Sequence, residues 1–139
     1  MSFQMARSLV IQLLDPRTDR LHHGLALAAT AAAMGRPTTI VLFQGALWAL
    51  VTGRADQPAL EGLGVEVAAA LTVGHERHPA PPTRLLRDAR GLGARVYACS
   101  GSVELAGLAL ADVLAVVDDV LGLPTILRRA GDDADLVVV

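Results

Sequence analysis

Four short runs are continuous in apolar residues rather than alternating with polar ones: 9–14, 38–43, 94–98 and 135–139. Strands buried on both faces read this way, and they imply a parallel sheet. Helical patterns lie between them, and strands alternating with helices predict right-handed crossover units with helices on both faces. The first helix has Asp15 or Thr18 to cap it, an apolar stripe of Leu21, Leu25, Ala28, Ala29 and Ala32, and Gly35 and Pro37 to stop it. A second, over 46–51, is apolar all round, so Leu47, Trp48 and Leu50 are either deep core or a subunit contact, and the latter is preferred.

Glycines and prolines break every pattern over 52–80, and the expectation there is an irregular packed element over 65–73. Pro81 and Pro82 open a third helix carrying Leu85, Leu86, Ala89 and Leu92, and a fourth starts near Ser102 with Leu105, Leu108 and Ala109. A last helix spans 124–130. The remaining strand is either 113–117 or 117–121, which periodicity does not decide. The pattern thus predicts an α/β fold with a mainly parallel five-stranded sheet. With no repeat and no linker, residues 1–139 read as one domain.

Composition narrows the class. At 53% apolar, 19% charged and 3% aromatic, the 139 residues exclude disorder. All 12 basic residues are arginines, scattered along the chain against 14 acidic ones, so no nucleic-acid footprint emerges. The longest charge-free stretch, 37–53, is too short and too interrupted for a membrane span. The apolar run at 8–14 leads into Asp15-Pro16-Arg17-Thr18-Asp19-Arg20 rather than a cleavage site, so no signal peptide is expected. A single cysteine allows no internal disulfide and suits a reducing compartment. The expected location is the cytoplasm, without membrane or nucleic-acid partners.

Ligands of open α/β sheets bind at the carboxyl ends of the strands. There the sequence puts Asp15, Arg17 and Thr18 with His22 and His23 a turn later, then Gln44-Gly45, then Cys99-Ser100-Gly101-Ser102. Cys99 ends a buried strand just before a helix, whose unpaired N–H groups favour a thiolate. Arg17 or a protonated His22 or His23 could add to that effect. The competing reading makes Cys99 a small buried hydrophobe and makes Ser100 and Ser102 helix caps. His75 and His78 have a metal-sharing spacing, but the prolines after them predict a loop, and no metal is expected. Gly62-Leu63-Gly64 and Gly91-Leu92-Gly93 lack the features of dinucleotide loops, and no Gly-x-Ser-x-Gly elbow exists. No cofactor is expected.

The stretch Asp19-Arg20-Leu21-His22-His23-Gly24-Leu25-Ala26-Leu27-Ala28 through Gly35-Arg36-Pro37, and the string Cys99-Ser100-Gly101-Ser102-Val103-Glu104-Leu105-Ala106-Gly107-Leu108, resemble the DsrE/DsrF-like family of sulfur-relay proteins. The closing Gly122-Leu123-Pro124-Thr125 and Ala134-Asp135-Leu136-Val137-Val138 fit as well, so the likeness spans nearly the whole chain. It implies a three-layer α/β/α sandwich, puts the undecided strand at 117–121, and implies a trimeric or hexameric assembly. It further implies a sulfurtransferase-like role in which Cys99 accepts sulfane sulfur as a persulfide and passes it to a partner protein. Ser100, Gly101, Ser102, Arg17, His22 and His23 would then surround the sulfur. Some members of the family lack the cysteine, so the alternative is a non-catalytic binding or assembly subunit with Cys99 only structural. A thiol redox sensor ranks last, because no resolving cysteine exists. Nothing in the sequence identifies the sulfur donor or acceptor.

Overall fold

The computed structural model describes residues 7–139. Its elements run β1 (Leu9–Leu13), α1 (Thr18–Ala33), β2 (Thr38–Leu42), α2 (Gln44–Thr52), a 3₁₀ turn (Arg54–Asp56), α3 (Val65–Arg77), α4 (Pro82–Gly91), β3 (Arg95–Cys99), α5 (Ser100–Ala106), α6 (Leu110–Leu114), β4 (Asp119–Leu121), α7 (Leu123–Ala130) and β5 (Asp135–Val138). The five strands form one sheet in the order β4-β3-β2-β1-β5, and every neighbouring pair is parallel. Helices lie on both faces, giving the three-layer α/β/α architecture.

Strand order dictates how the helices divide. From β1 through β4 the chain steps in one direction, so right-handed crossovers put all the intervening helices on one face. The step from β4 to β5 runs back past β1, which sends α7 to the other. Burial follows this division. Leu9, Ile11, Leu13, Ile40, Leu42, Val96 and Ala98 share a core with Leu21, Leu25 and Ala28 of α1, Leu47 and Leu50 of α2, Leu86 of α4, Val103 of α5 and Val113 of α6. The alternate strand residues Val10 and Val41 pack with Ile126 of α7 in a smaller cluster on the second face.

Several expectations need correction. Residues 65–77 form a regular helix, α3, with His75 in its last turn and His78 as its C-cap, so His75 is not in a loop. Leu47 and Leu50 belong to the chain's own core, and Trp48, 43% exposed, is the member of that trio that faces outward. Residues 113–117 straddle α6 and the turn after it, and the last strand to be located is Asp119–Leu121, within the span the resemblance gave. Neither Asp15 nor Thr18 caps α1. Arg17 stands at its N-cap, the Thr18 hydroxyl accepts the Ala59 N–H at 2.7 Å, and Asp15 accepts the Arg17 N–H at 2.9 Å. Helix α5 begins at Ser100, and Cys99 is its N-cap, so neither Ser100 nor Ser102 does that work.

Candidate functional site at the end of the third strand

Cys99 is the last residue of β3 and pairs in register with Leu121, the last residue of β4. Its alternation with Ala98 puts it on the second face, where it is half-buried against the cluster of Val10, Val41 and Ile126. The chain turns directly from Cys99 into α5, and from Leu121 through Gly122, the N-cap of α7, into that helix. Two helix starts therefore meet at the ends of two adjacent strands. Each carries partial positive charge from unpaired N–H groups, which favours an anion between them.

Two glycines border this corner. The Cys99 Sγ lies 4.0 Å from the point where a Gly101 Cβ would stand, so the sulfur rests beside the first turn of α5. A Cβ on Gly122 would lie 3.9 Å from the Ser100 Oγ and 3.8 Å from the Pro124 Cδ, which brings the start of α7 against that of α5. Ser100 is exposed at this lip, whereas Ser102 is buried beneath it. Cys99, Ser100 and Gly101 are thus brought together.

Arg17, His22 and His23 gather elsewhere. They follow β1, and β2 intervenes between β1 and β3, so roughly 10 Å of sheet separates the two strand ends. Arg17 folds back on Asp15, donating from Nε at 3.2 and 3.1 Å to its two oxygens, with a further contact from the guanidinium at 3.1 Å. Burial pushes the Asp15 carboxyl up, but the Arg17 backbone and side-chain hydrogen bonds outweigh it and hold the group below its ordinary value. His22 turns to α3, where its ring meets that of His75 edge-on at 5.6 Å between centroids. Burial lowers the His22 pKa, and the charges of His75 and His23 lower it further. No hydrogen bond or ring contact joins these three residues to Cys99 among the described residues. Those residues also contain no group of three His, Cys, Asp or Glu that could hold a metal ion.

Two neighbours of the site escaped the sequence reading. Tyr97 lies two residues before Cys99 and therefore on the same face, where it joins the same cluster. The Arg129 guanidinium of α7 sits 5.7 Å above the Tyr97 ring, within the range of a cation–π contact. The period of two along a strand could have flagged Tyr97. Arg129 is brought there by the long return crossover, which no local pattern encodes.

No protein-family model matches the sequence, and no curated protein matches it significantly. Solved structures do match. The ychN protein from E. coli superposes with a TM-score of 0.63 at 15% identity, covering 97% of this chain and all of its own length at 100%. A protein of unknown function, MTH1491 from Methanobacterium thermoautotrophicum, superposes with a TM-score of 0.57 at 16% identity, covering 96% of this chain and 99% of that one. The class defined is therefore a fold, the three-layer α/β/α arrangement shared with ychN and MTH1491. At these identities the likeness shows the fold alone. Among the described residues no helix is long and apolar enough to cross a membrane.

Proposed function

We propose that this chain is a cytoplasmic, single-domain sulfur-relay protein that works as a homo-oligomer, a trimer or hexamer, and needs no cofactor. Cys99 is the sulfur acceptor. The observation that carries this reading is its placement: a half-exposed sulfur at the paired ends of β3 and β4, where α5 and α7 both begin.

The chemistry is thiol–persulfide exchange. The Cys99 thiolate attacks the outer sulfur of a donor persulfide, a Cys99–sulfur bond forms, the donor's S–S bond breaks, and the donor leaves as a thiolate. In the second step an acceptor thiolate attacks that outer sulfur, and Cys99 departs with the electron pair of the broken S–S bond. Both the thiolate and the persulfide are anions, so the partial positive charge of the two helix starts suits each stage. Ser100 and Gly101 border the sulfur, with Ser102 buried beneath them. Arg17, His22 and His23, two strands away along the same edge, serve the approach of the partner proteins rather than the reacting atoms.

The test is intact mass after exposure to inorganic polysulfide. The native chain should gain one sulfur atom that dithiothreitol removes, and Cys99→Ser should gain none. A native chain whose thiol alkylates freely yet takes up no sulfur would overturn the proposal.

A further inference from the structure

A concavity lies on the first face of the sheet, opposite the face to which Cys99 points. Its volume is about 610 Å³, and Pro16, Gln44, Trp48, Arg54, Gln57 and Leu105 are among its lining. That size falls within the range of small-molecule sites. Its upper wall comes from the loop after β1 and the first turn of α2 after β2, at the carboxyl ends where open α/β sheets bind ligands.

The wall is fixed. A Cβ at Gly45 would stand 2.9 Å from the Pro16 Cδ and 3.4 Å from the Leu14 carbonyl oxygen, so only glycine lets the start of α2 meet the β1 loop so closely. The neighbouring Gln44 holds φ at +39°, the one non-glycine residue with positive φ among those described. Residues kept in that region cluster at sites whose surroundings over-determine them.

The lining specifies a ligand class. Trp48 is 43% exposed and Leu105 78%, and with Pro16 and Pro58 they make the interior mainly apolar. Arg54 is the single charged residue of the lining among the described residues. Among the described residues its guanidinium has neither an ion pair nor a hydrogen bond, although five other arginines are engaged in ion pairs. A lone cation beside an apolar slot complements an anion with an apolar body. Gln44 and Gln57 offer neutral amides to orient it.

We infer that this cleft binds a small carboxylate with an aromatic or branched apolar body, its carboxylate on Arg54 and its body against Trp48 and Leu105. This site is independent of the sulfur chemistry proposed for Cys99. The indole is the chain's one tryptophan, so its emission reports on the cleft directly.

The experiment titrates the full chain with 4-phenylbutyrate and, separately, with the neutral 4-phenylbutyramide, following Trp48 emission and the heat of binding. The acid should give a saturable change, and the amide should bind at least about tenfold more weakly, as expected for a charge-assisted contact. Arg54→Gln, a change at an exposed position, should bring the acid down to the level of the amide while leaving amide binding as it was. Cys99→Ser should leave both titrations unchanged. Equal affinity for acid and amide, or undiminished acid binding by Arg54→Gln, would overturn the inference. So would Trp48 emission that responds to protein dilution and not to either compound, because a second copy would then occupy the cleft.

Discussion

Asp118 shows how one side chain can finish a sheet. Its backbone N–H donates to the Val96 carbonyl at 2.8 Å, and its carboxylate accepts the Val96 N–H at 2.8 Å, so β3 is paired one residue before β4 begins. Arg90 donates to the same carboxylate at 2.7 Å and to the Val116 carbonyl at 3.0 Å, tying α4 to this corner. Burial raises the Asp118 pKa, but the Val96 and Arg90 hydrogen bonds outweigh it and hold the group below its ordinary 3.8. A carboxyl depressed in the fold contributes stability above its unfolded value, and loses it as pH falls through the lower folded value. Asp118→Ala should cost about 1–3 kcal/mol in urea unfolding at pH 7, from an unsatisfied N–H and a stranded Arg90. The difference from the native chain should shrink below pH 3.8. An unchanged gap down to the acid limit would count against this role. Cys99 was legible at this scale because an apolar run stops there and a helix begins, both local signals. Its separation from Arg17 and His22 was not, since strand order decides it.

Among the elements, α3 stands apart. None of its 13 residues is buried, and Val65, Val67 and Val73 are 88%, 51% and 45% exposed. The breaks at Gly62, Gly64 and Gly74 pointed to an irregular segment, yet alanines at 68–70 and a long run without proline sustain a regular helix. By contrast α1 and α4 were clear from sequence, since each carries a stripe that packs on the sheet. A helix that buries so little is held by few contacts and belongs to the less stable part of a fold. One of those contacts is the His22–His75 edge pairing. His22 titrates below its ordinary 6.5 in the fold, chiefly through burial and then through His75 and His23. The unfolded chain therefore takes up the proton first. Stability from this pair is complete above about pH 6.5, declines as pH falls toward the lower folded value, and then levels off. Amide exchange in α3 should be faster than in α1 at pH 7.5. After correction for the intrinsic pH dependence, its protection should drop further as pH falls below about 6.5. In His22→Gln that further drop should vanish, and a persistent drop would place the titrating group elsewhere.

For the molecule as a whole, topology sets an imbalance. Three crossovers fall on the first face of the sheet and one on the second, so among the described residues α7 alone covers strands that are apolar on both sides. Among the described residues it covers Val10 and Val41 but leaves the edge strand β5 bare on that face. Leu136 and Val138, paired with Val10 and Gln12, are 56% and 65% exposed, and Leu123 and Leu127 of α7 are 42% and 46% exposed. The sequence foretold a sheet buried on both sides, because β5 is as apolar as the inner strands. It could not say that the chain itself falls short of that burial, since the shortfall follows from strand order. Contiguous apolar surface of this kind marks association sites, and a homo-oligomer is the assembly proposed for this chain. If copies of the chain meet there, two carboxylates on β5 would be desolvated without partners at the contact. The double substitution Leu136→Glu and Val138→Glu should therefore reduce the mass seen by light scattering to that of one chain. Its circular dichroism and unfolding midpoint, read at the same concentration, should remain those of a folded protein, because neither side chain belongs to the cores on either face. A variant that keeps the native oligomeric mass would move the contact to another surface, with α3 and its exposed valines the next to substitute.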